Sequence, residues 1–286
     1  NPIQEQYLAY ISTKLASGKR VHELEAIKVC IENQSDIITS LKNELSKQFN
    51  IKFKEVNYLS IINQLKQEFA TGGAKATFKD AIFIDNNLNT HPQLITLLKD
   101  KNFKTQLLEI TNFGINRYKQ NYNNTYKNTD LCLYQKYTYE DVCRLLNWEV
   151  NAVPLNIGGY KYDQRTNTMP VFINHDHDAN QGGKYMHRFV DSSTLICFSK
   201  PNRSLDSDEI QRIYNEKNNH IQIHLFVRKN KNDTTSKEFY YMGQIHAIDK
   251  PINVKLPDNK SSAIQFTYKL EKEIRKDIFD YITNSD

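Results

Sequence analysis

HIQIHLFVR, residues 220–228, sets the class of the fold. Ile221, Ile223, Leu225 and Val227 fall on one side, and His220, Gln222, His224, Phe226 and Arg228 on the other. That spacing of two belongs to a strand with one face on a core, and it sends His220 and His224 to solvent or to a partner. Towards the C-terminus, Phe239–Ile248 and Ile264–Leu270 carry further strand patterns, and Phe279, Tyr281 and Ile282 close the chain as a short helix. Towards the N-terminus, Ser207 caps a helix through Ile210 and Ile213. Before it, Tyr160-Lys161-Tyr162, a polar turn at 163–167 and Val171-Phe172-Ile173 make a hairpin with a long loop.

Upstream of Trp148 the period changes to that of helices. Thr138, with Asp141 three residues on, is a capping box opening a short helix through Val142, Leu145 and Leu146. Ile37, Ile38, Leu41, Leu45 and Phe49 form one apolar stripe with Ser35 as its cap, and Leu59, Ile62, Leu65 and Phe69 form another, ended by Gly72-Gly73. Pro92 suits the first turn of a helix carrying Leu94, Leu97 and Leu98. A last helix carries Phe103, Leu107, Ile110 and Tyr118, and residues 119–130 (KQNYNNTYKNTD) read as a polar linker or long loop. The expected fold class is α+β. A helical accessory or docking unit spans 1–130. A mainly β, DNA-binding unit spans 131–286, as a small barrel or bent sheet with one or two helices.

A length of 286 residues fits about two domains. The chain opens Asn-Pro-Ile rather than with Met, the expectation for a piece of a longer protein. No apolar run approaches the ~18–20 residues of a membrane span, and no signal-peptide pattern is present. Cys30, Cys132, Cys143 and Cys197 form no C-x-x-C pair, so buried thiols in a reducing cytoplasm are expected. A net charge of +5 favours a polyanionic partner such as nucleic acid.

Enzyme signatures fail on inspection. Gly72-Gly73-Ala74-Lys75 does not make a phosphate-binding loop, and neither G-x-G-x-x-G nor G-x-S-x-G occurs. His22-Glu23 begins like a zincin helix, but Ala26 stands where the second histidine belongs. His175-Asp176-His177-Asp178 offers metal-ligand chemistry, yet alternation splits its imidazoles and carboxylates between two sides, and it leads into a loop-like AlaAsnGlnGlyGly. His175, Asp176 and His177 therefore stand as a secondary reading, a cryptic metal-dependent nuclease. The favoured reading needs no cofactor: Lys161, Arg188, Lys200, Arg203 and Arg228 contact phosphate while Tyr160 or Tyr162 stacks on a base. A third reading is a protein-interaction or autoinhibitory module.

LCLYQKYTYEDVCRLLNW (131–148), NIGGYKYD (156–163), HRF (187–189), FSKPNRSL (198–205) and DEIQ (208–211) together resemble an uncharacterised C-terminal domain that follows the motor of bacterial DEAD/DEAH-type superfamily II helicases, often with a phospholipase-D-like nuclease at the far N-terminus. IHLFVRKN (223–230), FYYMGQI (239–245) and, more weakly, FGINRYKQNY (113–122) extend the resemblance. It implies an accessory region that works beside a helicase motor of the same polypeptide in DNA processing, restriction or phage defence. It supplies no catalytic residues. The strand pattern of the second unit also faintly resembles the barrels of SRA and PUA-like folds, an analogy of fold that would make the DNA a modified one.

Overall fold

The computed structural model describes residues 1–32, 35–157, 159–176, 187–230, 237–255 and 261–284. The chain packs as two interleaved units: Asn1–Cys132 with Cys143–Val153, and Leu133–Val142 with Pro154–Asp286.

The first unit is helical: α1 (Pro2–Tyr10), a π turn at Ile11–Leu15, α2 (His22–Glu32), α3 (Ile37–Phe49), α4 (Asn57–Leu65), a 3-10 turn at Gly72–Ala76, α5 (Pro92–Leu97) and α6 (Lys101–Asn121). The apolar stripe of α3 buries Ile37, Ile38, Leu41 and Leu45 as its spacing predicts, although the cap position falls on Asp36, not Ser35. Asp100 caps α6 by accepting from the N–H groups of Asn102 and Phe103 at 2.9 and 3.3 Å. Residues 119–130 are not a free linker. Helix α6 runs through Asn121, Tyr122 and Tyr126 are buried, and the Tyr126 N–H donates to Leu131 O at 2.7 Å. Tyrosine rings supplied the apolar surface that a count of Asn and Lys conceals.

Arg20 organises this unit. Its guanidinium is 1% exposed and grips the fully buried Glu23 carboxylate, with Nε 3.1 Å from both oxygens. Its Nη1 donates to Arg144 O at 2.9 Å, Asn147 Oδ1 at 2.8 Å and Asp130 Oδ2 at 3.3 Å. Arg144 sets a second cation 3.6 Å from Glu23. These bonds, all needed by a charge removed from water, hold residues 143–153 to the helices.

The second unit opens with β1 (Lys136–Tyr137) and α7 (Tyr139–Leu145), whose later residues belong to the first unit. The capping box forms: Thr138 N–H donates to Asp141 Oδ2 at 2.9 Å, and Asp141 N–H to Thr138 Oγ1 at 3.1 Å. Then follow α8 (Pro154–Ile157), β2 (Thr168–Asp176), β3 (Arg188–Asp191), β4 (Thr194–Phe198), α9 (Asp208–Tyr214), β5 (Gln222–Asn230), β6 (Phe239–Ala247), β7 (Ile252–Lys255), β8 (Ser262–Leu270) and α10 (Lys276–Thr283). One sheet runs β2-β5-β6-β8-β4-β3, with β1 added to β6 and β7 to β8. Only β2 and β5 pair parallel; the other pairs named here are antiparallel. The sheet is strongly bent. β6 meets β5 through Tyr240, Tyr241 and Gln244, and meets β8 only through Ile245, His246 and Ala247. A register shift at His224/Phe226 and a positive φ of 88° at Gly243 mark the turning point, where a side chain would be strained.

The concave sequence logic of β5 holds for its apolar side: Ile223, Leu225 and Val227 join Val171, Ile173, Ile245 and Phe266 in a core closed by Ile210 and Ile213 of α9 and by Ile278 and Ile282 of α10. The other side is a correction to the sequence reading. His224 is fully buried, with its Nδ1 2.9 Å from the Tyr241 hydroxyl. It lies beside an aromatic cluster in which Phe172 sits 4.4 Å from Tyr139, 5.1 Å from Phe226 and 5.1 Å from Phe239, centroid to centroid. β5 is therefore an interior strand packed on both faces. His220, by contrast, is exposed just before the strand.

Candidate nucleic-acid interface

At one edge of the second unit, where Tyr160 bridges Val171 of β2 and the chain leaves β4 through Ser199-Lys200-Pro201, there is an open cavity of about 200 Å³. Gly159, Tyr160, Phe172, His187, Cys197, Phe198, Ser199 and Lys200 are among the residues that line it. Drug-sized ligand sites run to ~300–1,000 Å³, so this one suits a single ring system. Its lining includes four aromatic residues, Tyr160, Phe172, His187 and Phe198, with polar groups placed among them.

Several of the sequence candidates converge here. Tyr160 is only 8% exposed; it is a wall, not an open platform. Its hydroxyl donates to Glu209 Oε1 at 3.1 Å and accepts from the Lys200 N–H at 3.3 Å. Burial holds the phenol protonated well above its usual range. The Lys200 ammonium lies 4.7 Å from the centre of the Tyr160 ring, a cation–π contact that holds the charge at the cavity. Burial lowers the pKa of this ammonium, and Arg203 and Lys161 act in the same direction against the opposing charge of Glu209. Arg203 is bound to Glu209 by its Nε, so its charge is already answered. Lys161 is exposed.

The others lie apart. Tyr162 donates to Asn167 Oδ1 at 2.7 Å and has the Arg212 guanidinium 5.2 Å above its ring. Arg188 is exposed on β3, one residue from His187. Arg228 is half-buried, bonded to Asn174 Oδ1, with its guanidinium 4.4 Å from the centre of the Phe239 ring. Of the metal-ligand candidates, His175 is half-buried and its ring stacks on Phe189 at 6.1 Å; Asp176 ends β2, opposite Asn230; His177 lies outside the described residues. Among the described residues no group of three or more His, Cys, Asp and Glu is placed to hold a metal ion.

Sequence reasoning missed a pair in the lining of the cavity. The Cys197 thiol lies 3.1 Å from His187 Nδ1, which also accepts from the Phe198 N–H at 3.3 Å. That second bond makes Nδ1 the unprotonated nitrogen, so the thiol donates. Burial pushes the Cys197 pKa up to about 12, leaving a thiol rather than a thiolate. Ten residues separate the two, and only the β3–β4 pairing brings them together. The alternation Leu195, Cys197 on β4 was the available signal.

The profile of a domain of unknown function, DUF3427, matches residues 131–282, and that of a second, DUF8090, matches residues 1–124. No curated protein matches the chain. Among solved structures, the SRA domain of SUVH5 in complex with fully methylated CG DNA is similar over 49% of this chain and 90% of that one, with 12% identity and a TM-score of 0.33. KRYPTONITE in complex with mCHG DNA is similar over 57% of this chain and 39% of that one, with 9% identity and a TM-score of 0.36. No helix of the described residues is long and apolar enough to cross a membrane.

Proposed function

The chain belongs to the family of the domain of unknown function DUF3427, and we propose that its β unit binds DNA and takes one unstacked base into the cavity beside Tyr160. The observation that carries this reading is the cavity itself. It has room for one ring, aromatic walls in Tyr160, Phe172 and Phe198, and polar atoms on His187, Ser199 and Lys200. Enzymes and readers that extrude a base stack it between aromatic side chains and read its edge with hydrogen bonds. Lys161 and Arg188, exposed and adjacent in sequence to Tyr160 and His187, are suited to the flanking phosphates. The net charge of +5 supplies the long-range attraction.

In this reading the chain is a non-catalytic accessory region of a superfamily II helicase, acting in the cytoplasm in restriction or phage defence. The support for the helicase setting is the sequence resemblance over residues 131–245. The support for binding rather than catalysis is that the reactive groups are engaged in structure: Cys197 is a buried thiol, and His246 is held between Glu216 at 2.9 Å and Glu271 at 2.8 Å.

The test is fluorescence anisotropy with single-stranded, duplex and base-modified duplex probes at two salt concentrations, with 2-aminopurine at the queried position. Salt-sensitive binding with a rise in 2-aminopurine fluorescence is expected. Lys161→Glu or Arg188→Glu should each lower the salt slope by about one. Binding without any 2-aminopurine change would remove the base from the cavity, and no binding at low salt would remove DNA altogether.

A further inference from the structure

The first unit holds a larger cavity, about 440 Å³, that the DNA reading does not use. His22, Asn50, Lys52, Lys54, Lys119 and Lys127 are among the residues that line it. The lining cations come from three separate places in the chain: the segment after α3, the end of α6, and the loop behind it. The acid in the lining, Asp130, gives its Oδ2 to Arg20 at 3.3 Å. The cavity is therefore bordered by four ammonium groups and one carboxylate that is already engaged. Lys119 and Lys127 are set against rings, 5.2 Å from the centre of Phe49 and 5.5 Å from that of Tyr126, while Lys54 donates to Asn128 O at 2.6 Å.

Its lining includes a buried polar atom with no explanation in the fold. His22 is 2% exposed, and its Nδ1 has no hydrogen-bond partner among the described residues. Leaving such a group unsatisfied destabilises the fold, and a bound acceptor or donor would satisfy it. Burial keeps this imidazole neutral by lowering its pKa, against the pull of Asp130. A neutral ring offers one donor and one acceptor, and a phosphate monoester can meet either. The failed zincin pattern thus leaves a histidine with a different use.

We propose that this cavity of the helical unit binds a terminal phosphate or pyrophosphate group, with Lys52, Lys54, Lys119 and Lys127 around the anion and His22 bonding to it from the lining. The volume exceeds that of one phosphate and has room for a nucleotide. The phosphate has two natural sources, a free nucleotide or the 5′-phosphorylated end of a nucleic-acid strand. Lysines suit either, as point charges without the planar demand of arginine. The proposal is independent of the cavity beside Tyr160.

Isothermal titration calorimetry on the full chain at low salt tests it, with inorganic pyrophosphate, ADP, and a trinucleotide carrying either a 5′-phosphate or a 5′-hydroxyl. Citrate is the control for charge alone. Pyrophosphate should bind, and Lys52→Glu/Lys119→Glu, two exposed positions, should weaken it by about tenfold or more. His22→Gln should weaken it several-fold, with unfolding by urea checked to show that the variant is folded. Tight ADP binding identifies the free nucleotide as the source. Preference for the 5′-phosphorylated trinucleotide over both ADP and the 5′-hydroxyl form identifies the strand end. Citrate binding as tightly as pyrophosphate, no binding of any phosphate probe, or binding indifferent to the double lysine variant would each overturn the proposal. Lys161→Glu and Arg188→Glu, which probe the other cavity, should leave pyrophosphate binding unchanged.

Discussion

Replacing Arg20 by methionine removes the side chain that grips Glu23 at hydrogen-bond distance. Glu23 is fully buried, and the remaining cation, Arg144, is 3.6 Å away. The variant also takes a donor from Arg144 O and from Asn147 Oδ1. Asp130 loses a bond too, but its side chain is 16% exposed and can turn to water. Breaking a buried ion pair from one side costs roughly 3–5 kcal/mol, a large part of the ~5–15 kcal/mol that holds a domain folded. At about 3 °C per kcal/mol for a unit of this size, the melting temperature should fall by roughly 10–15 °C. The readout is built in. Trp148 is the sole tryptophan of the chain, 3% exposed, and belongs to this unit. Urea unfolding followed by its fluorescence should show the midpoint fall with the slope unchanged. The double variant Arg20→Met/Glu23→Leu should recover much of the loss, because it removes the stranded carboxylate along with its partner. A cost below about 1 kcal/mol, or a double variant no better than the single one, would refute the idea that the pair is a mutual requirement.

Burial pushes the Glu23 carboxyl up, but Arg20 and Arg144 outweigh it and hold the pKa at about 2, below the ordinary 4.5. A depressed folded value gives stability that is complete above about pH 4.5 and is lost as pH falls towards 2, about 3 kcal/mol in all; Glu23→Gln should flatten the acid limb of the Trp148 titration, and an unchanged limb would refute the assignment. Gly18 has φ +74°, and a Cβ there would meet Gly114 O and Tyr118 N at 2.6 Å, so Gly18→Ala should destabilise the first unit by more than ~2 kcal/mol, whereas Gly73→Ala, with open space around it, should change little. All four cysteines are buried and none forms a disulfide; Ellman's reagent at pH 8 should react slowly with the native protein and with four thiols in denaturant, and a fast native phase would contradict the raised pKa values of about 12 at Cys30 and Cys197.

The order of helices before strands was legible, because α3 and β5 carry the two hydrophobic periods plainly and Thr138 with Asp141 spells out a cap. Two features were hidden for identifiable reasons. His224 reads as polar in any alternation count, yet a hydroxyl partner from Tyr241 lets the ring enter an interior face. The segment 143–153 reads as a prelude to the strands, yet the acceptors of Arg144 and Asn147 answer an arginine more than a hundred positions earlier, a pairing no local pattern records. The candidate site was legible in part. Tyr160 and Arg203 meet through Glu209, which the charge-and-aromatic reading passed over, and Lys200 meets Tyr160 at its hydroxyl and its ring. His187 and Cys197 meet only through strand pairing.

The interleaving also has a clock attached. Arg20 and Asn147 are 127 positions apart. At synthesis rates of ~5–20 residues per second, roughly 6–25 s pass between the emergence of the guanidinium and that of its last acceptors. During that interval the helices exist without their closing segment, and Arg20 has only Glu23 close by in the chain to neutralise it. A nascent chain stalled at residue 132 would expose that incomplete site to proteases and chaperones, while one that has delivered residue 153 to the solvent would not. Any cell that makes this protein must keep the first unit waiting for its own last segment while the opening of the second is made.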